Sequence, residues 1–257
     1  MTHNSILEIN DLSVHFGGLK AIANVSISIN KGELIGLIGP NGAGKTTLFN
    51  AITGLCRPTG GHIFFNDKDI VNKPAHYISR QGLARTFQNI RLFKTLTALE
   101  NLRIAYHQNL HYSILAGILK TKSFNRGEKA AVEQATEILS IVGLDSYANE
   151  VADNLSYGNQ RKLEIARALV TNPKMLLLDE PAAGMNPIET KELINLIRKL
   201  RTEFNITIFL IEHDMNVVMS LCEKIFVLDY GVLIAQGSVD EIKSNEQVIK
   251  AYLGEDL

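Results

Sequence analysis

The stretch Gly39-Pro-Asn-Gly-Ala-Gly-Lys45-Thr46-Thr47 stands between an apolar run, 34–38, and a segment of helical character, 48–55. Its spacing matches the phosphate-binding P-loop, in the strand–loop–helix context that this motif requires. The glycines let backbone N–H groups face phosphate oxygens, and the helix N-terminus adds a favourable dipole. Lys45 is predicted to reach the β- and γ-phosphates, and the Thr46 hydroxyl to hold Mg²⁺. The stretch therefore predicts a site for a nucleoside triphosphate, with these contacts: Gly39, Asn41, Gly42, Ala43, Gly44, Lys45, Thr46 and Thr47.

The composition limits the classes of protein that need to be considered. A chain of 257 residues with 46% hydrophobic side chains suits one large domain, and a net charge of −1 argues against a dedicated nucleic-acid binder. No signal peptide is expected, and no apolar stretch reaches the ~18–20 residues of a membrane span. We therefore expect a protein that is soluble or attached to a membrane through a partner. Cys56 and Cys222 are expected to be buried, inert thiols in a reducing compartment.

The segments before the P-loop have the patterns of β-strands. Residues 6–9 and 12–16 are apolar or alternating, and residues 22–29 alternate strictly between apolar and polar side chains. This periodicity, with Gly17-Gly18 as a turn, predicts strands. Phe16 lies shortly before the P-loop strand, where it can stack on a purine base or be an ordinary strand residue.

The middle of the chain, 96–145, changes to helical character. Segments 100–119 and 128–142 are predicted to be helices, and no strand-like run interrupts them. The pattern indicates a helical insertion into an α/β domain. Its basic side chains favour either an ordinary solvated surface or a face toward lipid headgroups or an acidic partner; they are Arg103, Lys120, Lys122, Arg126 and Lys129.

The later part of the chain supplies acidic groups at a strand end. The apolar run 175–178 is followed directly by Asp179 and Glu180. This is the Walker B pattern, in which the strand brings an acid to the Mg²⁺ beside the P-loop. Glu180 can act as general base for an attacking water. His213 follows the next predicted strand, where it could contact a γ-phosphate.

Together these motifs resemble the nucleotide-binding subunit of an ABC transporter, and the resemblance spans the whole chain. The signature pattern of that family is Leu-Ser-Gly-Gly-Gln, which here becomes Leu155-Ser156-Tyr157-Gly158-Asn159, followed by Gln160. Tyr157 and Asn159 depart from the generic pattern, as in one branch of the family. The resemblance implies that Ser156 and Gly158 contact the ATP that is bound by another ATPase subunit.

The resemblance also implies roles for residues that match the other motifs of the family. Phe16 takes the adenine-stacking position, and Gln88 the Q-loop position that senses Mg²⁺ and the γ-phosphate and contacts the membrane subunit. Asp179 supports Mg²⁺, Glu180 polarises water and His213 is the switch histidine. The D-loop segment 183–186 carries Asn where the family usually has Asp, so the helix cap is kept and a charge is lost.

The fold that the resemblance implies is an α/β P-loop NTPase with a RecA-like core, an N-terminal antiparallel β-subdomain and an α-helical subdomain. Residues 1–94 and 166–240 would form the core and the β-subdomain. Residues 95–165 would form the helical subdomain with the signature motif, and residues 241–257 a C-terminal helical tail.

A narrower resemblance concerns the class of transporter. Segments 154–167 and 179–190 and the tail 248–255 resemble one ATPase of bacterial branched-chain amino acid importers. The implied partners are integral membrane permeases, a second ATPase subunit in a homo- or heterodimer, and indirectly a periplasmic or extracellular binding protein. The implied place is the cytoplasmic side of the bacterial inner membrane, as a peripheral subunit. The ATPase of lipopolysaccharide export shares much of the tail and is the nearest alternative.

Two other classes of P-loop protein fit the sequence less well. Soluble ABC ATPases of DNA repair or of ribosomes carry long coiled coils or two tandem ATPase units, and the sequence has neither. A P-loop kinase needs an acceptor-substrate site and has no use for the signature at 155–160.

Overall fold

The structure is a computed structural model that describes residues 4–110, 119 and 121–253. These residues form two compact units, which are described separately. The first unit comprises the described residues of Met1–Arg85 and Lys174–Leu257, and the second unit those of Thr86–Pro173. The boundaries predicted for the helical subdomain, 95–165, remain a prediction.

The elements of the described residues, in chain order, are β1 (Ser5–Phe16), β2 (Leu19–Asn30), β3 (Leu34–Ile38), α1 (Lys45–Ile52), β4 (Gly60–Phe65), β5 (Lys68–Asp69), α2 (Ala75–Arg80), β6 (Leu83–Arg85), α3 (Ala98–Tyr106), α4 (Lys122–Ile141), α5 (Tyr157–Leu169), β7 (Met175–Asp179), α6 (Pro187–Phe204), β8 (Thr207–Ile211), α7 (Met215–Leu221), β9 (Lys224–Asp229), β10 (Val232–Gly237), α8 (Val239–Lys243) and α9 (Glu246–Leu253). Short 3₁₀ turns lie at His107–Asn109, Asp145–Tyr147 and Ala152–Asn154.

An antiparallel sheet of four strands, in the order β2-β1-β4-β5, forms one layer of the first unit. The two segments predicted at 6–9 and 12–16 are one continuous strand, β1, which was predicted as two. The pairing with β2 shifts register between Ile9 and Leu12, where Asp11 has a positive φ of 50°. A β-bulge of this kind interrupts the apolar alternation without ending the strand, so the periodicity suggested a break.

A mixed sheet of six strands, in the order β10-β9-β3-β8-β7-β6, forms the other layer of the first unit. Its pairs from β9 to β6 are parallel, and only β10 is antiparallel, at one edge. Every residue of β3, β7 and β8 is buried. Strands covered on both faces carry mostly apolar side chains, which explains why these three appear in the sequence as nearly continuous apolar runs.

The core of the first unit is centred on α1 and the six-stranded sheet. The Phe49 ring lies 5.0 Å from that of Phe209, which in turn meets the Phe226 ring edge-on at 6.2 Å. All three side chains are fully buried. This packing anchors the helix that follows the P-loop against the centre of the sheet.

The helix after β7 begins as its sequence predicts. Asn186 Oδ1 accepts hydrogen bonds from the N–H groups of Ile188 and Glu189, and Glu189 Oε2 accepts one from the Asn186 N–H. This reciprocal capping box satisfies N–H groups that the helix cannot bond internally.

The described residues of the second unit are mainly helical, but the helix bounds differ from those predicted. The helix predicted at 100–119 is α3, which ends at Tyr106; residues 111–118 lie outside the described residues. The helix predicted at 128–142 is α4, which already begins at Lys122 because Thr121 caps it by accepting the Phe124 N–H at 3.3 Å.

Two of the basic side chains in this segment have acidic partners. Arg103 pairs with Glu128 at 2.9 Å, and Lys129 contacts Glu133 at 3.7 Å. Lys120 lies outside the described residues. These contacts favour the ordinary solvated surface for Arg103 and Lys129.

The cysteines differ from each other. Cys222 is buried, and its burial raises the pKa of the thiol to about 12, so it stays protonated. Cys56 is only half-buried, which differs from the expectation, since it lies in the loop after α1. Within the described part of the chain, no helix is both long and apolar enough to cross a membrane.

Candidate active site

The P-loop lies between β3 and α1, and glycine is required at its two ends. Gly39 has a φ of +148°, and a Cβ there would lie 2.0 Å from the Leu228 carbonyl oxygen. Gly44 has a φ of +101°, and a Cβ there would lie 2.5 Å from the Ala21 carbonyl oxygen. Gly44 is the N-cap of α1 without a capping side chain, so the first-turn N–H groups remain available to an anion.

Lys45 is folded back onto the loop that it belongs to. Its ammonium group donates to the carbonyl oxygens of Gly39 at 2.6 Å and Pro40 at 2.9 Å. Burial lowers the pKa of Lys45, while the negative charges of Glu180 and Asp179 oppose that shift. The ammonium therefore lies in the electrostatic field of Asp179 and Glu180, the two carboxylates predicted at the end of the β7 strand.

The predicted Walker B acid is buried and paired. Asp179, at the end of β7, is 2% exposed, and its Oδ2 accepts a hydrogen bond from Arg85 Nη2 at 2.7 Å. Arg85 is the last residue of β6, the neighbour of β7. Burying a carboxylate is costly unless a cation or hydrogen bonds offset its lost hydration, and Arg85 supplies both.

The next residue, Glu180, adopts a conformation that is uncommon for a residue with a side chain. Its φ is +47°, and its N–H donates to the Ile211 carbonyl oxygen at 2.9 Å. Its Oε2 lies 3.7 Å from His213 Nδ1, while the His213 side chain is 60% exposed. The turn at the end of β7 thus brings the predicted base and the predicted switch histidine together, as the carboxyl ends of adjacent parallel strands allow.

Among the residues that the structure describes, no group of three or more His, Cys, Asp or Glu side chains could hold a metal. Mg²⁺ in nucleotide sites is typically held by one or two protein oxygens together with phosphates. Thr46, exposed on the first turn of α1, and Asp179 supply oxygens of this kind, so the donor set fits Mg²⁺ bound with a nucleotide.

The second unit contains Gln88, Ser156 and Gly158. Ser156 is the N-cap of α5, and its Oγ accepts the Asn159 N–H at 3.3 Å. Gly158 is buried within the first turn of α5. The hydroxyl proton of Ser156 remains able to donate to an anion at this helix N-terminus.

A fully buried arginine of α5 connects the signature segment with Gln88. Arg161 donates to the carbonyl oxygens of Phe87 at 2.7 Å and Gln88 at 2.8 Å, and to Glu164 Oε2 at 2.8 Å. It also donates to the Tyr157 hydroxyl at 3.2 Å. The tyrosine that departs from the generic signature is therefore a hydrogen-bond partner of the group that holds the backbone at Gln88.

Two protein families match this chain. Residues 22–183 match the family described as "ABC transporter", and residues 232–257 match the family described as "Branched-chain amino acid ATP-binding cassette transporter". This chain belongs to the ABC transporter family. The predicted α/β P-loop fold and the predicted ATPase activity of an ABC ATP-binding subunit are thereby confirmed.

Individual relatives of this ABC ATPase agree with that assignment. The chain is 50% identical over 250 residues to the high-affinity branched-chain amino acid transport ATP-binding protein BraF of Pseudomonas aeruginosa, covering 97% of this chain and 98% of BraF. It is 50% identical, with the same coverage, to the corresponding protein LivG of Escherichia coli K12. The crystal structure of the ADP conformation of an ATP-binding cassette of an ABC transporter superposes with a TM-score of 0.84 at 36% identity, covering 98% of this chain and 99% of that cassette.

Phe16 occupies an accessible place in this ABC ATPase. It ends β1 and its side chain is 54% exposed. Exposure of a large aromatic next to a turn is compatible with stacking on a base, and the adenine-stacking role stays a prediction.

Glu212 is a structural participant that the sequence reasoning missed. It is 1% exposed, and its carboxylate accepts hydrogen bonds from the N–H groups of Ala182 at 2.8 Å and His213 at 3.2 Å. Burial raises the pKa of this carboxyl. Glu212 therefore joins the turn that follows Glu180 to His213, the predicted switch histidine. A charged residue directly after an apolar strand was the available signal.

Proposed function

We propose that this chain is the ATP-hydrolysing subunit of an importer of branched-chain amino acids. The proposal is supported by 50% identity to BraF and LivG over nearly the whole chain and by the family match at 232–257. The transported solute contacts other subunits, so this assignment rests on the relatives, whereas the ATPase activity rests on the family and on the site itself.

The observation that carries the chemistry is the meeting of four groups at the carboxyl ends of adjacent strands. Lys45 begins α1 after the loop that follows β3, Asp179 ends β7 and is followed by Glu180, and His213 lies just after β8. In open parallel sheets this edge is where ligands bind. It brings a cation for the phosphates, an acid for the metal and a base for water to one place.

The P-loop residues and Lys45 bind the phosphates in this proposal. Lys45 would exchange its two bonds to loop carbonyl oxygens for bonds to phosphate oxygens, which are stronger because both partners are charged. Mg²⁺ would be held by Thr46 and Asp179 and, through Gln88, sensed by the Q-loop; when bound, it neutralises charge on the β- and γ-phosphates. Phe16 would stack on the adenine.

Glu180 is the residue that we assign to the attacking water. A carboxylate within hydrogen-bond reach of a water can accept its proton as the oxygen approaches the γ-phosphate. His213, 3.7 Å from Glu180, would donate to the γ-phosphate and hold the carboxylate in place.

The opposite face of the γ-phosphate needs donors as well, and we assign them to a second ATPase subunit. Ser156, Gly158 and the N-terminus of α5 form an anion-binding helix start. In a two-subunit arrangement, each subunit would present this helix start to the ATP bound by the other, so that ATP joins the two.

ABC transporter ATPase subunits work with membrane permease components. For this chain we propose peripheral attachment to the cytoplasmic side of the inner membrane through two permeases. A periplasmic binding protein would deliver the solute, and no nucleic acid is involved.

The test is uptake of radiolabelled leucine, isoleucine and valine in a deletion strain. We expect ATP-dependent uptake to be lost, restored by the wild-type chain and not restored by Glu180→Gln. An exposed variant such as Lys31→Ala serves as the matched control and should restore uptake fully. Normal uptake together with defective lipopolysaccharide export would reject the importer and support the export ATPase.

A further inference from the structure

Arg85 joins three elements of the first unit around the Walker B acid. It ends β6, where it pairs in register with Leu177 of β7. Its side chain is 5% exposed and extends along β7 to Asp179, whose own side chain is 3% exposed. The guanidinium is thus withdrawn from water beside the carboxylate proposed to support Mg²⁺.

The two arms of the guanidinium have different partners. Nη2 donates to Asp179 Oδ2 at 2.7 Å, while Nη1 donates to Asn50 Oδ1 at 2.8 Å and to Thr53 Oγ1 at 3.2 Å. Asn50 lies in the last turn of α1, the helix that begins at Lys45, and Thr53 is the C-cap of that helix. The planar fork therefore spans from the P-loop helix to the end of β7.

The Phe49 ring of α1 also contacts the guanidinium of Arg85. The Arg85 guanidinium carbon lies 5.5 Å from the centre of the fully buried Phe49 ring. A cation over an aromatic face is favourable, and more so when both are withdrawn from water. Together with the hydrogen bonds, this contact restricts the guanidinium to one plane.

We propose that Arg85 is a positioning residue for Asp179. By binding Oδ2, it fixes the plane in which the Asp179 carboxylate would support Mg²⁺. This inference rests on the proposed role of Asp179 toward Mg²⁺.

The geometry of arginine, rather than its charge alone, is the essential property. A lysine would keep a positive charge beside Asp179 but cannot hold Asp179, Asn50 and Thr53 in a fixed planar arrangement. A methionine would remove the charge and fill a similar volume. Arg85→Lys therefore removes the fixed orientation of Asp179 and keeps a positive charge beside it, whereas Arg85→Met removes both.

The experiment measures binding rather than turnover. The affinity of the full chain for a non-hydrolysable ATP analogue is determined by calorimetry in EDTA and in saturating Mg²⁺, and the ratio of the two is the Mg²⁺-dependent gain. In Arg85→Lys we expect this gain to fall by about tenfold or more, as for other residues that orient metal ligands, with the affinity in EDTA unchanged. The electron paramagnetic resonance spectrum of Mn²⁺ bound with the analogue should change in the same variant.

A matched control is the ion pair between Arg201 and Glu223, which lies on the same unit with an N–O distance of 2.7 Å. Arg201→Lys should leave the Mg²⁺-dependent gain and the Mn²⁺ spectrum unchanged. If Arg85→Lys also leaves both unchanged, even with a lowered melting temperature, Arg85 is only structural and the inference is overturned.

Two further variants keep the test decisive. Asp179→Asn must reduce the Mg²⁺-dependent gain; if it does not, the proposed role of Asp179 fails independently of Arg85. If neither Arg85 variant folds, Asn50→Ala combined with Thr53→Val removes the contacts to α1 and leaves the pair with Asp179 intact. A reduced gain in that variant supports the inference, and an unchanged gain overturns it.

Discussion

The two units hold their functional residues in different ways. In the first unit, charged side chains lie on turns after parallel strands, and Glu180 and His213 contact each other directly. In the second unit, the functional segments are held by their backbone: Arg161 binds the carbonyl oxygens of Phe87 and Gln88. The first unit presents side chains with proposed chemical roles, and the second unit fixes the position of a main-chain segment.

This difference shows where each unit is sensitive to change. In the first unit, substitution of one side chain should alter the chemistry and leave the fold in place. In the second unit, substitution of Arg161 breaks its buried ion pair with Glu164 and should alter the fold around Gln88.

The first prediction concerns the base of the first unit. Glu180→Gln keeps the shape of the side chain but cannot accept a proton, so hydrolysis should fall by about 10²–10⁴-fold. ATP binding should be preserved, and the variant should accumulate as an ATP-bound dimer with itself or with its partner ATPase. Hydrolysis is measured by phosphate release, and the dimer by size-exclusion chromatography in Mg²⁺-free ATP.

Ser156→Arg is the companion change for this experiment. It places bulk and charge at the start of α5 and should abolish the dimer of Glu180→Gln. If Glu180→Gln stays monomeric in every combination and hydrolyses ATP at the wild-type rate, both the base and the two-subunit arrangement are wrong.

The second prediction concerns the buried pair of the second unit. Arg161→Met leaves Glu164 buried without its arginine and should lower the free energy of unfolding by about 3–5 kcal/mol, measured by urea titration. Replacing both partners, as Arg161→Met with Glu164→Leu, should recover most of that loss. If the single variant is as stable as wild type, the second unit does not depend on this pair.

The stability deficit of Arg161→Met should also depend on pH. Burial already raises the pKa of the Glu164 carboxyl, and Arg161 opposes the rise. A carboxyl whose folded pKa exceeds its unfolded value binds more protons in the folded state, so its stability contribution is lost as pH rises through the folded pKa. The deficit should therefore be small at the ordinary carboxyl pKa of 4.5 and grow as the pH rises above it; a deficit that shrinks as the pH rises contradicts the assignment.

The third prediction returns to the phosphate site. Lys45→Ala removes a cation that forms charge-assisted hydrogen bonds, each worth roughly 1.5–3 kcal/mol, so affinity for ATP should fall about 10- to 100-fold. Equilibrium dialysis measures the affinity, and circular dichroism checks the fold. The control is Lys31→Ala, because Lys31 is exposed and precedes the start of β3, whereas the P-loop follows its end. Affinity close to wild type in Lys45→Ala would refute the P-loop assignment.

The two units also differ in how far the sequence predicts them. The P-loop and the end of β7 follow from local patterns, because a buried strand and a glycine-rich turn each have a local signature. The helix cap at Asn186 was likewise predicted and is confirmed. Arg85, Glu212 and Arg161 were missed because their partners lie far away in the chain: Arg85 reaches Asp179 across 94 positions. Contacts of this range depend on which strands become neighbours, which local periodicity does not reveal.

The last prediction compares two matched helix starts, one in each unit. Asn186 with Glu189 caps α6, and Thr97 with Glu100 caps α3; both form complete capping boxes. Asn186→Ala and Thr97→Ala should each cost about 1 kcal/mol of stability, with faster hydrogen exchange confined to the first turn of the affected helix. Asn186→Asp should retain the cap and add a charge that the helix N-terminus favours. The capping role is wrong if Asn186→Asp is less stable than wild type while Asn186→Ala is as stable as wild type. In that case the absence of Asp at this D-loop position has another cause.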